Sequence, residues 1–175
     1  MPTIQLPDGT PVMDSAVIAE TLEQEYPEPS LRLDTKLHEA VAPIIGKASF
    51  PLIPVFIPRI GRDIIPPSAS EHFYSTREKR FGMPLDELER QKGGAKAWEA
   101  AKPGLDELTA FLNEHKQDEG PFVLGSKVCY ADLLIACMIE SLRRIGPDLY
   151  DKFVEHHEEL RALHEACKPW MENDQ

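Results

Sequence analysis

Three things are scarce in this sequence: cysteines, basic residues and long apolar runs. The three cysteines, Cys129, Cys137 and Cys167, are odd in number and lack the spacing of a metal site or a redox pair. We therefore expect free thiols in a reducing cytoplasm rather than a disulfide-stabilised scaffold. The 19 lysines and arginines are outnumbered by 30 aspartates and glutamates, which gives a net charge of -11. This charge argues against nucleic acid or an anionic membrane as the main partner.

The most apolar run, residues 50–58, is short and contains three prolines. A membrane-spanning helix needs about 20 consecutive apolar residues, so none is expected. Five prolines between positions 51 and 67 argue against a regular long helix, because each removes a backbone N–H. We predict a kinked, largely buried connector here. Four of its side chains either pack in the core or line an apolar pocket beside a ligand site: Phe50, Leu52, Val55 and Phe56.

The informative part of the sequence is its first 30 residues. Residues 3–6 favour a strand, and Pro7-Asp8-Gly9-Thr10 favours a turn, because Gly9 tolerates positive φ and Asp8 can bond its own backbone. Residues 12–13 resume extended structure. An apolar stripe then recurs at four-residue spacing until Pro27, formed by Ile18, Leu22 and Tyr26. The sequence therefore predicts a strand, turn, strand, helix unit.

The predicted start of this helix, at Asp14 and Ser15, is a candidate binding site. Free backbone N–H groups, the positive end of the helix dipole and the Ser15 hydroxyl can together bind a carboxylate. Asp14 can accept from an ammonium group. An α-amino acid head group carries both charges. The simpler interpretation is that Asp14 and Ser15 only cap the helix.

The order Pro2, Pro7-Asp8-Gly9-Thr10, Asp14-Ser15 resembles the second half of the thioredoxin-like domain of glutathione transferases. In that family a proline opens a strand, a PDGT-like hairpin follows, and an acidic residue and a serine begin the next helix. The resemblance implies that Asp14 and Ser15 hold the γ-glutamyl end of glutathione. It also implies that Pro2 is the family's cis proline, with Met1 pairing its backbone to the cysteinyl part. Glutathione would be the cosubstrate, and no metal is implied.

In that family, the residue that activates the glutathione sulfur lies in a strand, helix, strand segment before the proline. The resemblance therefore assigns thiol activation to no residue of this sequence, and Tyr74 and Tyr130 are substitutes that nothing in the sequence places near the sulfur. The first strand would also have an edge without a neighbour. Three explanations remain open: a shortened fragment, a diverged binding protein, or a partner that covers the edge, such as the second copy in a homodimer.

The rest of the chain is predicted to be helical. Ser68 and Glu71 form a capping-box pattern before a helix closed by Gly82, and breaks are expected at Gly93-Gly94 and Gly146-Pro147. The run "CYADLLIACMIESL" is apolar nearly all round, which indicates a central bundle helix. Glutathione transferases open this helix with Ser or Thr and, three residues later, Asp; Asp132 fits this pattern and Cys129 departs from it. The run "HFYSTREKRFGMPLDELE" resembles the fungal FuA or ustiloxin-cluster type.

Three histidines, His156, His157 and His164, invite a metal interpretation, but they form no convincing set with carboxylates, and we predict exposed helix histidines. The predicted fold is mainly α: a partial thioredoxin-like unit in residues 1–30 and an all-α glutathione transferase C-terminal domain in residues 31–175. The predicted function is conjugation of glutathione to small apolar electrophiles, in detoxification or secondary metabolism. The alternatives are a non-catalytic module that binds glutathione or apolar ligands, and a fragment.

Overall fold

The structure, a computed structural model, describes residues 2–171. A short antiparallel hairpin and one helix come first, and a helical bundle follows, which confirms the predicted mainly α fold class. The two strands are β1 (Thr3–Gln5) and β2 (Pro11–Met13). The α-helices are α1 (Ser15–Glu25), α2 (Leu37–Ser49), α3 (Ile53–Asp63), α4 (Pro67–Phe81), α5 (Leu85–Lys92), α6 (Ala95–Glu114), α7 (Tyr130–Ile145), α8 (Pro147–Val154) and α9 (Glu158–Met171).

The hairpin forms as its turn residues predict. Gly9 has φ 90°, and the Thr10 N–H donates to the Asp8 carboxylate at 2.9 Å. The strands pair with Ile4 opposite Val12, so both half-buried apolar side chains lie on one face. With three residues in each strand, the sheet is too small to be stable alone.

The proline-rich stretch, predicted to be a kinked and largely buried connector, is helical, and from Phe50 to Asp63 only Leu52, Pro58 and Gly61 are buried, so the prediction of a largely buried connector is wrong. A single 3₁₀ turn, Phe50–Leu52, joins α2 to α3. Pro54 lies in the first turn of α3, where the missing N–H would have no intrahelical partner anyway. By length and composition, the whole run Leu37–Asp63 could cross a membrane, contrary to the sequence expectation. One such run is weak evidence, because core helices of globular proteins pass the same test; here 28% of its most apolar window is buried, including Leu52 at 1% exposure.

Helix α4 begins at Pro67, with Pro66 as its N-cap and no capping hydrogen bond from a side chain. The capping box predicted at Ser68 and Glu71 is therefore wrong. The prediction for the other end is confirmed, because Gly82 has φ 71° and its N–H donates to the Glu78 carbonyl. The predicted breaks after α5 and after α7 are also observed.

The main core lies where α2, α6 and α7 meet, and α8 and α9 close one side of it. Fully buried side chains include Val41 of α2, Leu108 of α6 and Ile135 of α7. Helices α2 and α6 pack closely at Gly104, where an added Cβ would lie 2.4 Å from the Ala48 backbone nitrogen. Contact this close requires the absence of a side chain at that position.

The first turn of α7 is held by a buried carboxylate. Asp132 is fully buried and accepts from the backbone N–H groups of Val123 and Cys129, both at 2.7 Å. Cys129 is the N-cap, and its backbone N–H donates to Asp132, which is the half of the capping box that the sequence retains. Burial raises the pKa of the Asp132 carboxyl, although the two N–H groups favour its charged form. This arrangement fixes the start of α7 against the loop that precedes it.

Candidate functional site

The candidate site is the exposed start of α1. Asp14 is its N-cap: one carboxylate oxygen accepts from the Ala16 N–H at 2.9 Å. The backbone N–H of Asp14 donates to the Pro2 carbonyl at 3.3 Å, and its φ is 80°. Positive φ is uncommon for a residue with a side chain and costs about 1 kcal/mol or more. Such strain recurs at binding sites, although Arg32 and Lys36, outside this site, also have positive φ.

The structure brings the three predicted site residues together. Ser15 is the first residue of α1, beside Asp14, and Pro2 is linked to Asp14 by a backbone hydrogen bond. All three are exposed. The Met1–Pro2 peptide bond and the predicted role of Met1 lie outside the described residues. A carboxylate can accept several hydrogen bonds, so capping α1 leaves Asp14 able to bind an ammonium group while the helix N–H groups face an anion.

Polar contacts tie the start of α1 to the helical bundle and its end to the connecting segment. At its start, the Tyr130 hydroxyl donates to the Ser15 carbonyl at 3.2 Å. Near its end, the Glu23 carboxylate accepts from the Ser30 hydroxyl at 2.5 Å and from the Leu31 N–H at 2.9 Å. Of the two tyrosines considered from sequence, Tyr130 is thus beside the site. Tyr74 packs in a small second core formed around α4 and α5.

The apolar side chains near the site are mostly exposed. Ala19 is buried on α1, but Leu22 and Tyr26 of the predicted stripe are 38% and 58% exposed. Six strand residues are too few to cover an 11-residue helix. Of the four side chains suggested to pack in the core or line a pocket, Leu52 lies in the core, Val55 and Phe56 pack against it partly buried, and Phe50 is 69% exposed.

The prediction of exposed histidines is right for His156 but wrong for His157 and His164, which are buried. His157 is 8% exposed and lies 2.8 Å from the Thr109 hydroxyl through Nδ1, and burial lowers its pKa. His164 is fully buried, with Nε2 3.1 Å from the Glu140 carboxylate. Among residues 2–171, no three His, Cys, Asp or Glu side chains form a group that could hold a metal ion.

The cysteines differ sharply in environment. Cys129 and Cys167 are buried, and burial raises the pKa of each thiol to about 12. The Asp132 carboxylate adds to the effect at both. A thiol with this pKa is almost fully protonated at neutral pH and is a poor nucleophile. Cys137 is exposed on α7. The two buried cysteines are therefore structural.

A helical bundle that follows a hairpin and a helix forms part of the architecture of glutathione transferases. The family model "Glutathione S-transferase, C-terminal domain" matches residues 37–173. The chain therefore belongs to the glutathione S-transferase family, as predicted. The match begins at the first residue of α2 and runs through α9.

Individual relatives agree with the family and with its fungal, ustiloxin-type branch. The Glutathione S-transferase-like protein ustS of Aspergillus flavus is 28% identical over 95% of this chain and 63% of its own length. The chain thus spans less than two thirds of that relative. The crystal structure of glutathione S-transferase CsGST63524 of Ceriporiopsis subvermispora, in complex with glutathione, has a TM-score of 0.79 at 26% identity, covering 100% of this chain and 72% of that one. GSTFuA2 of Phanerochaete chrysosporium has the same fold, with a TM-score of 0.76 at 22% identity. The match covers 100% of this chain and 71% of that one.

Proposed function

We propose that the protein is a glutathione transferase in which residues 1–30 hold glutathione and residues 31–175 form the supporting helical domain. The observation that carries the proposal is the exposed start of α1. There the Asp14 carboxylate, the Ser15 hydroxyl and the helix N–H groups lie side by side. They match the ammonium and carboxylate of a γ-glutamyl head group. The Pro2 carbonyl accepts a hydrogen bond from the Asp14 N–H. Pro2 would shape the neighbouring backbone, which would pair with the cysteinyl part of glutathione.

The proposed reaction is attack of the glutathione sulfur on a small apolar electrophile, in detoxification or secondary metabolism. A new S–C bond forms, the S–H bond breaks with loss of its proton, and the electrophile loses a leaving group with its electron pair, as 1-chloro-2,4-dinitrobenzene loses chloride. An unperturbed thiol has a pKa of about 8.5 and is mostly protonated at pH 7, so rapid conjugation requires a group that stabilises the thiolate. We assign that role to no residue of this chain.

A second candidate function is a non-catalytic glutathione-binding module. The observation that favours it is the state of the reactive side chains on the described part of the chain. The Tyr130 hydroxyl is engaged with the Ser15 carbonyl, and the thiols of Cys129 and Cys167 are buried and protonated. A module of this kind would bind glutathione through Asp14 and Ser15 without activating its sulfur.

Calorimetric titration of the chain with glutathione tests the proposal. Asp14→Asn keeps a capping oxygen and a residue that tolerates positive φ but removes the charge. We expect it to weaken binding by about tenfold to a hundredfold, since a hydrogen bond to a charged group contributes about 1.5–3 kcal/mol. Ser15→Ala should weaken binding by about two- to tenfold, as expected for a neutral hydrogen bond. Unchanged affinity in both variants would refute the proposed site.

The matched control is Asp8→Asn. Asp8 accepts from the Thr10 N–H at 2.9 Å, the same kind of bond that Asp14 makes to Ala16, but it lies at the turn end of the hairpin. Its variant should bind glutathione like the wild type. A conjugation assay with 1-chloro-2,4-dinitrobenzene then separates the two candidate functions. Binding with turnover indicates a transferase, whereas binding without turnover indicates the module.

A further inference from the structure

Tyr130 is the point at which the helical bundle reaches the candidate glutathione site. Its backbone N–H donates to the Leu31 carbonyl at 2.8 Å, and its hydroxyl donates to the Ser15 carbonyl at 3.2 Å. Its ring lies against His38 of α2, with centroids 5.6 Å apart. Tyr130 thus contacts the first turn of α1 and the first turn of α2 through its side chain, and the connecting segment through its backbone N–H.

The donor is held more firmly than the acceptor. Tyr130 opens α7 two residues before the buried Asp132, whose carboxylate accepts from the Val123 and Cys129 N–H groups of the segment that precedes the helix. By contrast, α1 rests on two three-residue strands, and Ala19 is its buried side chain. Few buried apolar contacts make the position of an element easy to shift. The Tyr130 hydroxyl therefore links a well-packed helix to a weakly packed one.

The linked carbonyl belongs to a residue of the site itself. Ser15 is the first residue of α1, and its peptide group sets the direction of the N–H groups in the first turn. These N–H groups can hold a carboxylate only when they converge on it. A hydrogen bond of 3.2 Å to this carbonyl therefore acts on the geometry of the site without touching the ligand.

We infer that Tyr130 is a positioning residue for glutathione, which orients the first turn of α1 from the helical domain. The inference rests on the proposed function for its ligand, but the hydrogen bond to Ser15 does not depend on that function. Glutathione binding at α1 and the start of α7 are then coupled. Substitutions at Tyr130 act on affinity through Ser15 rather than through the ligand.

The test is Tyr130→Phe, which keeps the ring beside His38 and removes only the hydroxyl. Two quantities are measured: glutathione affinity by calorimetry, and amide hydrogen exchange by mass spectrometry for peptides of α1 and of α7. We expect affinity to fall by about two- to tenfold, the effect of one neutral hydrogen bond. Exchange should become about two- to tenfold faster in α1 and stay unchanged in α7.

The matched control is Tyr150→Phe. Tyr150 is buried on α8, and its hydroxyl finds no hydrogen-bond partner among the residues that the structure describes. Removing that hydroxyl should change neither glutathione affinity nor exchange in α1. A loss of affinity in this control equal to that in Tyr130→Phe would overturn the inference, because the effect would then be general.

The remaining outcomes are also decisive. If the wild type binds glutathione and Tyr130→Phe binds equally well, the inference is overturned and the proposed function stands. Faster exchange in α7 as well as α1 overturns it too, since that indicates general loosening. If the wild type binds no glutathione, the proposed function fails. Exchange in α1 then decides the link alone: faster exchange in Tyr130→Phe supports it, and unchanged exchange overturns it.

Discussion

Replacing Glu140 should destabilise the fold through a cluster of charges between α7 and α9. Glu140 is 9% exposed, and its carboxylate accepts from Arg143 twice at 2.7 Å and from Arg144 at 2.8 Å. The Nε2 atom of His164 lies 3.1 Å away. These contacts, Arg143 foremost, lower the pKa of Glu140 from 4.5 to about 2, although burial opposes the change.

The pKa change gives the magnitude. Between 4.5 and about 2, at about 1.4 kcal/mol per pH unit, the charged carboxylate contributes about 3 kcal/mol to stability. Because the pKa is lowered on folding, this contribution is fully present above pH 4.5 and is lost as the pH falls towards about 2. At pH 3 about 1 kcal/mol remains. Glu140→Gln should thus lose about 3 kcal/mol at pH 7 and much less at pH 3.

The assay is urea unfolding of wild type and Glu140→Gln at pH 7 and pH 3, followed by circular dichroism. The control, Glu99→Gln on the exposed face of α6, should stay within about 0.5 kcal/mol of wild type at both pH values. The reasoning is refuted if the stability difference between wild type and Glu140→Gln is the same at pH 7 and pH 3. It is also refuted if the variant is as stable as wild type at pH 7.

Two further predictions follow from close packing and from thiol burial. Gly104→Ala should lower the unfolding free energy by about 1–3 kcal/mol, because its Cβ would lie 2.4 Å from the Ala48 backbone; a urea titration that shows no loss would contradict this. In native protein at pH 8, Ellman's reagent should label Cys137 rapidly. Cys129 and Cys167 should react only after unfolding, because burial raises the pKa of each thiol to about 12. Rapid labelling of all three thiols without denaturant would contradict their burial.

The boundaries of many elements could be predicted because glycine and proline act locally. Gly9 and Gly82 both have positive φ, as their turns require. Gly146 precedes Pro147, and α8 begins at that proline. Each of these effects depends on one residue and its neighbours, so no knowledge of the tertiary fold was needed.

The failed predictions concern residues whose role depends on position within an element. Proline was expected to disrupt the stretch after residue 50, but Pro54 lies in a first helical turn, where a proline is well tolerated. Ser68 did not cap α4, because Pro67 already begins the helix one residue earlier. His164 was expected to be exposed, yet it faces Glu140 on α7. Local pattern does not show which face of a helix meets a distant one.

In the candidate site too, features set by neighbouring residues were predictable, and a contact between distant residues was not. The start of α1 at Asp14 and Ser15 was predictable, because a cap and the stripe that follows it are adjacent in sequence. The bond from Tyr130 to Ser15 spans 115 residues, and no periodicity indicates it. With Leu22 38% and Tyr26 58% exposed and Ala19 as its buried residue, α1 is held by less apolar burial than the bundle helices. Hydrogen bonds at its two ends therefore set its position, which is why a residue of the helical bundle can govern the geometry of a site on the hairpin unit.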